Sequence, residues 1–180
     1  MNVFAYCTDT ARQAVRAATG VSPLSSPPVT AETLDTRWLE GHDLVYVRLH
    51  GLPGGRGWYN DAGEIALLEA QVAAADLSGS VVVVANCYGD RGPMAEALCA
   101  AGATAVIAGA GPNYAAAQRV VGTDLLVRWL ILGMRMGLGV DRALRLARMR
   151  LRVSSWRASD RDAAQFMVLG RRDVEEREGV

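Results

Sequence analysis

The chain contains no lysine: all 19 basic residues among its 180 are arginine, and 19 acidic residues balance them. A P-loop needs its Lys at the phosphates, so none can form here. The arginine bias is read as genome composition. Zero net charge leaves no general electrostatic case for nucleic acid or an acidic substrate. Trp38, Trp58, Trp129 and Trp156 form no nucleic-acid pattern. No Ser sits in a G-x-S-x-G elbow. Met1 to Phe4 opens without a basic n-region or a signal-like apolar stretch. The longest hydrophobic helix, around Leu125 to Leu138, is interrupted by Arg128 and Arg135 and is too polar for a membrane span. Three cysteines, an odd number without an export signal, point to free thiols in a reducing cytoplasm. The expectations are a cytoplasmic protein with no membrane partner, no nucleic-acid partner, no metal and no cofactor.

Histidine is scarce too, and its placement is informative. The two, His42 and His50, both precede Cys87. Papain-like enzymes and class I glutamine amidotransferases need the reverse order and are excluded. Arg91 follows Cys87 too closely for a phosphatase loop. What remains is an imidazole and a thiol, each just past an apolar run. Leu44–Leu49 precedes His50-Gly51, and Val81–Ala85 precedes Asn86-Cys87. Short β-branched runs bounded by Gly read as buried strands. Between them lies one helical pattern, Ala62 to Ala75. Asp61 and Glu64 form its capping box, and Ile65, Leu68 and Val72 its apolar stripe. Strand–helix–strand makes the two strands parallel, so His50 and Cys87 reach the same carboxyl edge, where open α/β sheets place their sites.

The remaining elements complete an α/β pattern. Asn2 to Cys7 reads as the first strand and Asp9 to Ala18 as a helix. Gly20 to Pro28 reads as a turn-rich loop, and Leu34 to Leu39 as a short helix. Gly51 to Gly57 reads as a mobile loop. Pro93 starts a helix that Gly102 ends. Thr104 to Ala108 is a strand, Gly109 to Tyr114 a loop at the same edge, and Thr123 caps a long helix. Asp141 to Arg152 is a further helix and Gln165 to Leu169 the last strand. Apolar residues on both sides of the strands predict a mainly parallel sheet covered by helices on both faces. The fold class is therefore a three-layer α/β/α sandwich with five or six strands. One domain spans residues 1–174, followed by a loose tail at 175–180.

At this point the chain resembles a family. A strand ending in His-Gly, Leu49-His50-Gly51, and a later strand ending in Cys-x-Gly, Asn86-Cys87-Tyr88-Gly89, are similar to the clan CD cysteine peptidases. These are the caspases, legumains, gingipains and bacterial CHAT domains. Ala100–Ala108, Gly137–Arg148 and Ala164–Gly170 resemble later CHAT segments in the same order. The resemblance covers roughly residues 42 to 170, with the CHAT domains the nearest group, and it implies a caspase-like fold. It implies a cysteine endopeptidase in which Cys87 attacks and His50 acts as acid and base. The resemblance also implies that the backbone N–H groups of Gly51 and Cys87 form the oxyanion hole. No third orienting carboxylate is implied. Asn86 departs from the small residue, often Ala, at that position, and so bears on substrate handling. Gly89 is expected to let the chain turn sharply after the nucleophile.

Plainer roles stand beside these. A Cys ending a buried strand is more often a packed core residue than a nucleophile, and Cys7 and Cys99 are read that way. His42 is read as a solvated turn residue. Asp9 is either a helix N-cap or a pocket acid favouring a basic P1 side chain, with Arg12 one turn away as its counterweight. Trp58 and Tyr59 are candidates to line a substrate groove. The arginines from Arg142 to Arg161 are read as a solvated face or an interface. The partners expected are a protein or peptide substrate and an activating protein. The competing functions are a catalytically silent CHAT-like interaction domain and a small-molecule-binding α/β domain. Oligomeric state is not legible.

Overall fold

Four successive valines, Val81–Val84, are stiff at χ1 and suit a pleated surface packed on both faces. None is more than 3% exposed. They form the centre of the computed structural model, which describes residues 1–113, 116, 118–154, 163 and 165–169. The strands are β1 (Val3–Thr8), β2 (Leu24–Ser26), β3 (Leu44–Arg48), β4 (Gly57–Tyr59), β5 (Ile65–Leu68), β6 (Val81–Val84), β7 (Ala105–Ala108) and β8 (Met167–Leu169). The helices are α1 (Arg12–Thr19), α2 (Glu69–Ala74), α3 (Pro93–Ala100), α4 (Thr123–Arg135) and α5 (Val140–Ser154).

Six strands form one sheet in the order β2-β1-β3-β6-β7-β8, while β4 and β5 form a separate hairpin. Every pairing in the large sheet is parallel except β7 with β8. The expected three-layer sandwich is thus the observed one. Alternate strand residues feed two cores. Leu44, Tyr46, Val81 and Val83 pack under α1, α4 and α5. Val45, Val47, Val82 and Val84 pack under α2, α3 and the hairpin.

β3 pairs directly with β6, with Val47 opposite Val84. His50 and Cys87 therefore leave neighbouring strands at the carboxyl edge, as the strand–helix–strand reading requires. The segment between them is not one helix, however. Its first part is β5, paired antiparallel with β4, and only Glu69–Ala74 is helical. The turn between β4 and β5 explains the difference. The Asn60 side chain accepts from the N–H groups of Ala62 and Glu64, both at 3.0 Å, and Gly63 takes φ +79°. That Asx-type turn competes with helix initiation. The expected stripe is rearranged with it: Ile65 and Leu68 face out, while Ala66, Leu67 and Val72 are buried.

Smaller differences follow from tertiary pairing. Leu24–Ser26, inside the expected loop, pairs with β1 as an edge strand. Of the expected Leu34–Leu39 helix, Thr36–Leu39 forms one 3-10 turn. Trp58 and Tyr59 belong to β4 rather than to the loop before it. The N-cap of α4 is Gly122, and Thr123 uses its hydroxyl elsewhere. The expected tail at 175–180 lies outside the described residues. Among the described residues, no helix is long and apolar enough to cross a membrane.

Candidate active site

His50 is anchored through its backbone. Its N–H donates to the Tyr59 carbonyl at 2.8 Å, and its carbonyl accepts from the Tyr59 N–H at 2.9 Å. The hairpin thus continues as a clamp beyond the end of β3. Asp61, in the hairpin turn, then lies beside the ring: His50 Nε2 is 3.0 Å from Asp61 Oδ1. The other carboxylate oxygen accepts from the Thr10 hydroxyl at 2.8 Å and the Thr10 N–H at 3.3 Å. Burial works against a charged Asp61, but the hydrogen bonds from His50 and Thr10 outweigh it and hold the carboxyl below its ordinary range. With a carboxylate accepting at Nε2, that nitrogen carries the proton. Nδ1 makes no hydrogen bond among the described residues.

Cys87 follows β6. Its sulfur accepts the N–H of Asn113 at 3.3 Å. Asn113 is itself tied at both ends: its amide donates to the Ala85 carbonyl, and its oxygen accepts from the Thr123 hydroxyl at 3.0 Å. No hydrogen bond joins the Cys87 thiol to the His50 ring. Both nevertheless line one cleft of about 140 Å³, together with Thr8, Thr10, Arg48 and Asp61.

The backbone beside the sulfur is arranged by two glycines and one tyrosine. A Cβ on Gly51 would lie 2.3 Å from the Cys87 carbonyl oxygen, so only Gly lets the two strand ends approach this closely. Among the described residues, no hydrogen bond takes up the N–H of Gly51 or of Cys87. The sharp turn after Cys87 falls on Tyr88, at φ +56°, rather than on Gly89. Left-handed backbone at a non-Gly residue is strained, and the Tyr88 N–H is held by the Gly111 carbonyl at 2.9 Å. Gly89 serves packing instead, since a Cβ there would meet Val84 Cγ1 at 2.6 Å.

A second cluster lies beneath the cleft. Arg48, the last residue of β3, pairs with Asp124 at 2.5 Å, and the Tyr46 hydroxyl donates to the same carboxylate at 2.8 Å. Arg48 also donates to the Ala116 carbonyl at 2.9 Å. Asp124 and Tyr46 are wholly buried. Burial pushes the Asp124 carboxyl up to about 6, against the opposing pull of Arg48 and Tyr46.

The other candidates fall elsewhere. Asp9 and Arg12 pair with each other at 3.4 Å, both largely exposed. They line a neighbouring depression of about 480 Å³ that shares Thr10 with the cleft. Trp58 is 3% exposed and packs in the core beneath the hairpin. Asn86 is buried, and its oxygen accepts the Leu49 N–H at 2.8 Å, so it braces the two strand ends without lining the cleft. Cys7 is buried, and burial raises its thiol to about 12. His42 stacks on Phe4 at 5.3 Å rather than standing free in solvent. Sequence reasoning missed Asp61, Thr10 and Asn113 as site residues. Asp61 offers a signal, an acid in an Asn-Asp-x-Gly turn, but the same residues also fit the cap of a helix. Among the described residues, no three His, Cys, Asp or Glu side chains gather as a metal-ligating group.

No protein-family model matches this chain, and no curated protein matches it.

Proposed function

We propose that the chain is a cysteine endopeptidase working through Cys87 and His50, with Asp61 as a positioning residue. The observation that carries this reading is the convergence of thiol and imidazole on one cleft, with a Gly51–Cys87 contact too close for any Cβ. The resemblance of Leu49-His50-Gly51 and Cys87-Tyr88-Gly89 to clan CD strand ends supports it. Cys87 gives its thiol proton to His50 Nδ1 and, as the thiolate, attacks the scissile carbonyl carbon, with the Asn113 N–H directed at its sulfur. Charge develops on the carbonyl oxygen, and the uncommitted N–H groups of Gly51 and Cys87 are its donors. His50 then passes the proton it took at Nδ1 to the leaving amine as the C–N bond breaks. The resulting thioester is hydrolysed by water, which His50 deprotonates. Asp61 stabilises the imidazolium and fixes the ring.

A peptide-library digest by wild type and Cys87→Ala tests the reading, read beside labelling with a thiol-reactive electrophile. Cleavage that disappears in the variant supports it. Absence of both cleavage and labelling at Cys87 favours the catalytically silent interaction domain. Gly51→Ala is expected to lower turnover at least about 100-fold by forcing the two strand ends apart. Unchanged turnover in that variant would remove the strand-end contact from the argument.

A further inference from the structure

The two outer surfaces of the sandwich carry apolar hollows of opposite charge. On the side of α1, α4 and α5, a hollow of about 590 Å³ lies between the end of α1 and α4. Leu125, Trp129 and Leu132 supply its apolar wall, and Arg128 and Arg135 its cations. Two helical turns separate those arginines, about 10 Å along the axis. On the other side, a hollow of about 360 Å³ lies between Thr30–Glu32 and β5. Ile65 and Leu68 are its apolar side chains, and Glu32 and Glu64 its acids. A 2.9 Å bond from the Ala31 N–H to the Ile65 carbonyl holds the two acid-bearing segments together.

These features are left over by the fold. Leu132, Ile65 and Leu68 are 43%, 41% and 36% exposed. Among the described residues, no carboxylate pairs with Arg128 or Arg135, and no cation with Glu32 or Glu64. Each hollow joins exposed apolar side chains to charges that have no ion-pair partner among the described residues, so a surface of opposite charge can cover it. Here each rim is the electrostatic complement of the other. We infer that the partner is a second copy of this chain, associating head to tail. Ile65 and Leu68 of one copy lie against the Leu125, Trp129 and Leu132 wall of the next, and Glu32 and Glu64 meet Arg128 and Arg135. Because the two surfaces differ and lie on opposite faces, the contact is heterologous. It generates a ring or an open row of copies rather than a two-fold dimer. Two small hollows make a contact below the size of a stable interface, so association is weak and depends on concentration.

Sedimentation velocity of the whole chain over a concentration series, at about 0.05 M and about 1 M salt, tests this. Species growing with concentration beyond a dimer, and shrinking at high salt, are expected. Arg128→Glu with Arg135→Glu, and separately Glu32→Arg with Glu64→Arg, should each weaken association at least about tenfold. All four side chains are exposed, so unchanged thermal unfolding verifies the fold. Combining the four reversals in one chain should restore salt-sensitive association, because the charges are then exchanged. A chain that stays monomeric throughout overturns the inference. So does a reversal on either face without effect, or a fourfold variant that fails to recover.

Discussion

Two aspartates at the same sheet edge sit beside basic side chains, and the fold treats them oppositely. Asp61 lies at the rim, against an imidazole that is 61% exposed. Asp124 lies beneath the cleft, wholly buried against an arginine that is 9% exposed. Hydrogen bonding decides the first and lowers its carboxyl; desolvation decides the second and raises it to about 6. Distance to the partner does not explain the contrast, since the buried pair is the shorter one. Solvent does: an acid that keeps water access feels its donors, while an acid without water feels chiefly its lost hydration. The rim cluster is thus suited to moving a proton and the deep cluster to bracing β3 against α4.

The largest expected effect belongs to the deep cluster. Asp124→Ala should cost about 3–5 kcal/mol in urea unfolding, because Arg48 is left charged and unpaired in the interior. Arg48→Met combined with Asp124→Leu should recover most of that loss. A single-variant cost below about 1 kcal/mol would place the pair with ordinary surface ion pairs and dissolve the contrast.

At the rim the effect should fall on turnover. His50→Ala should abolish cleavage, and Asp61→Asn should lower it about 10- to 100-fold. Both should leave stability within about 1 kcal/mol, because the groups are exposed. A loss of stability comparable to a core deletion would move His50 into the structural class.

The pH dependence of stability should differ in sign between the two. Asp124 is raised from 3.8 to about 6, so the folded chain binds a proton there that the unfolded chain has released. Its contribution is fully present below about 3.8 and is lost as pH rises through about 6. Asp61 is lowered, so its contribution is present above 3.8 and is lost as pH falls through its depressed value. Urea midpoints across this range should show Asp124→Asn and Asp61→Asn departing from wild type with opposite slopes. Parallel slopes would mean that burial is not what separates the two acids.

The smallest effects concern the remaining thiols. Cys7→Ser and Cys99→Ser should each change turnover by less than about tenfold. Native alkylation should spare Cys7, whose buried thiol stays protonated. Loss of labelling in Cys7→Ser alone would reassign the nucleophile.

Much of this was legible in local pattern. The apolar runs ending at Leu49 and Ala85 fixed two buried neighbouring strands, because β-branched runs of that length have few other uses. Parallel pairing then carried His50 and Cys87 to one edge without any knowledge of side-chain geometry. The hairpin was not legible, because Ile65, Leu68 and Val72 fit a helical stripe as well as Ala66 and Leu67 fit a strand. Only pairing with Gly57–Tyr59 decides between them. Asp61 was lost with it. Residues such as Thr10 and Asn113 carry no signal of their own, since their roles exist only where separate loops meet. Sequence by itself therefore determined the layers, the sheet edge and the order of thiol and imidazole, all of which follow from short-range periodicity and chain connectivity. Tertiary structure alone decided which carboxylate serves the imidazole and which is sealed below, because solvent access is a property of the assembled surface and not of any segment.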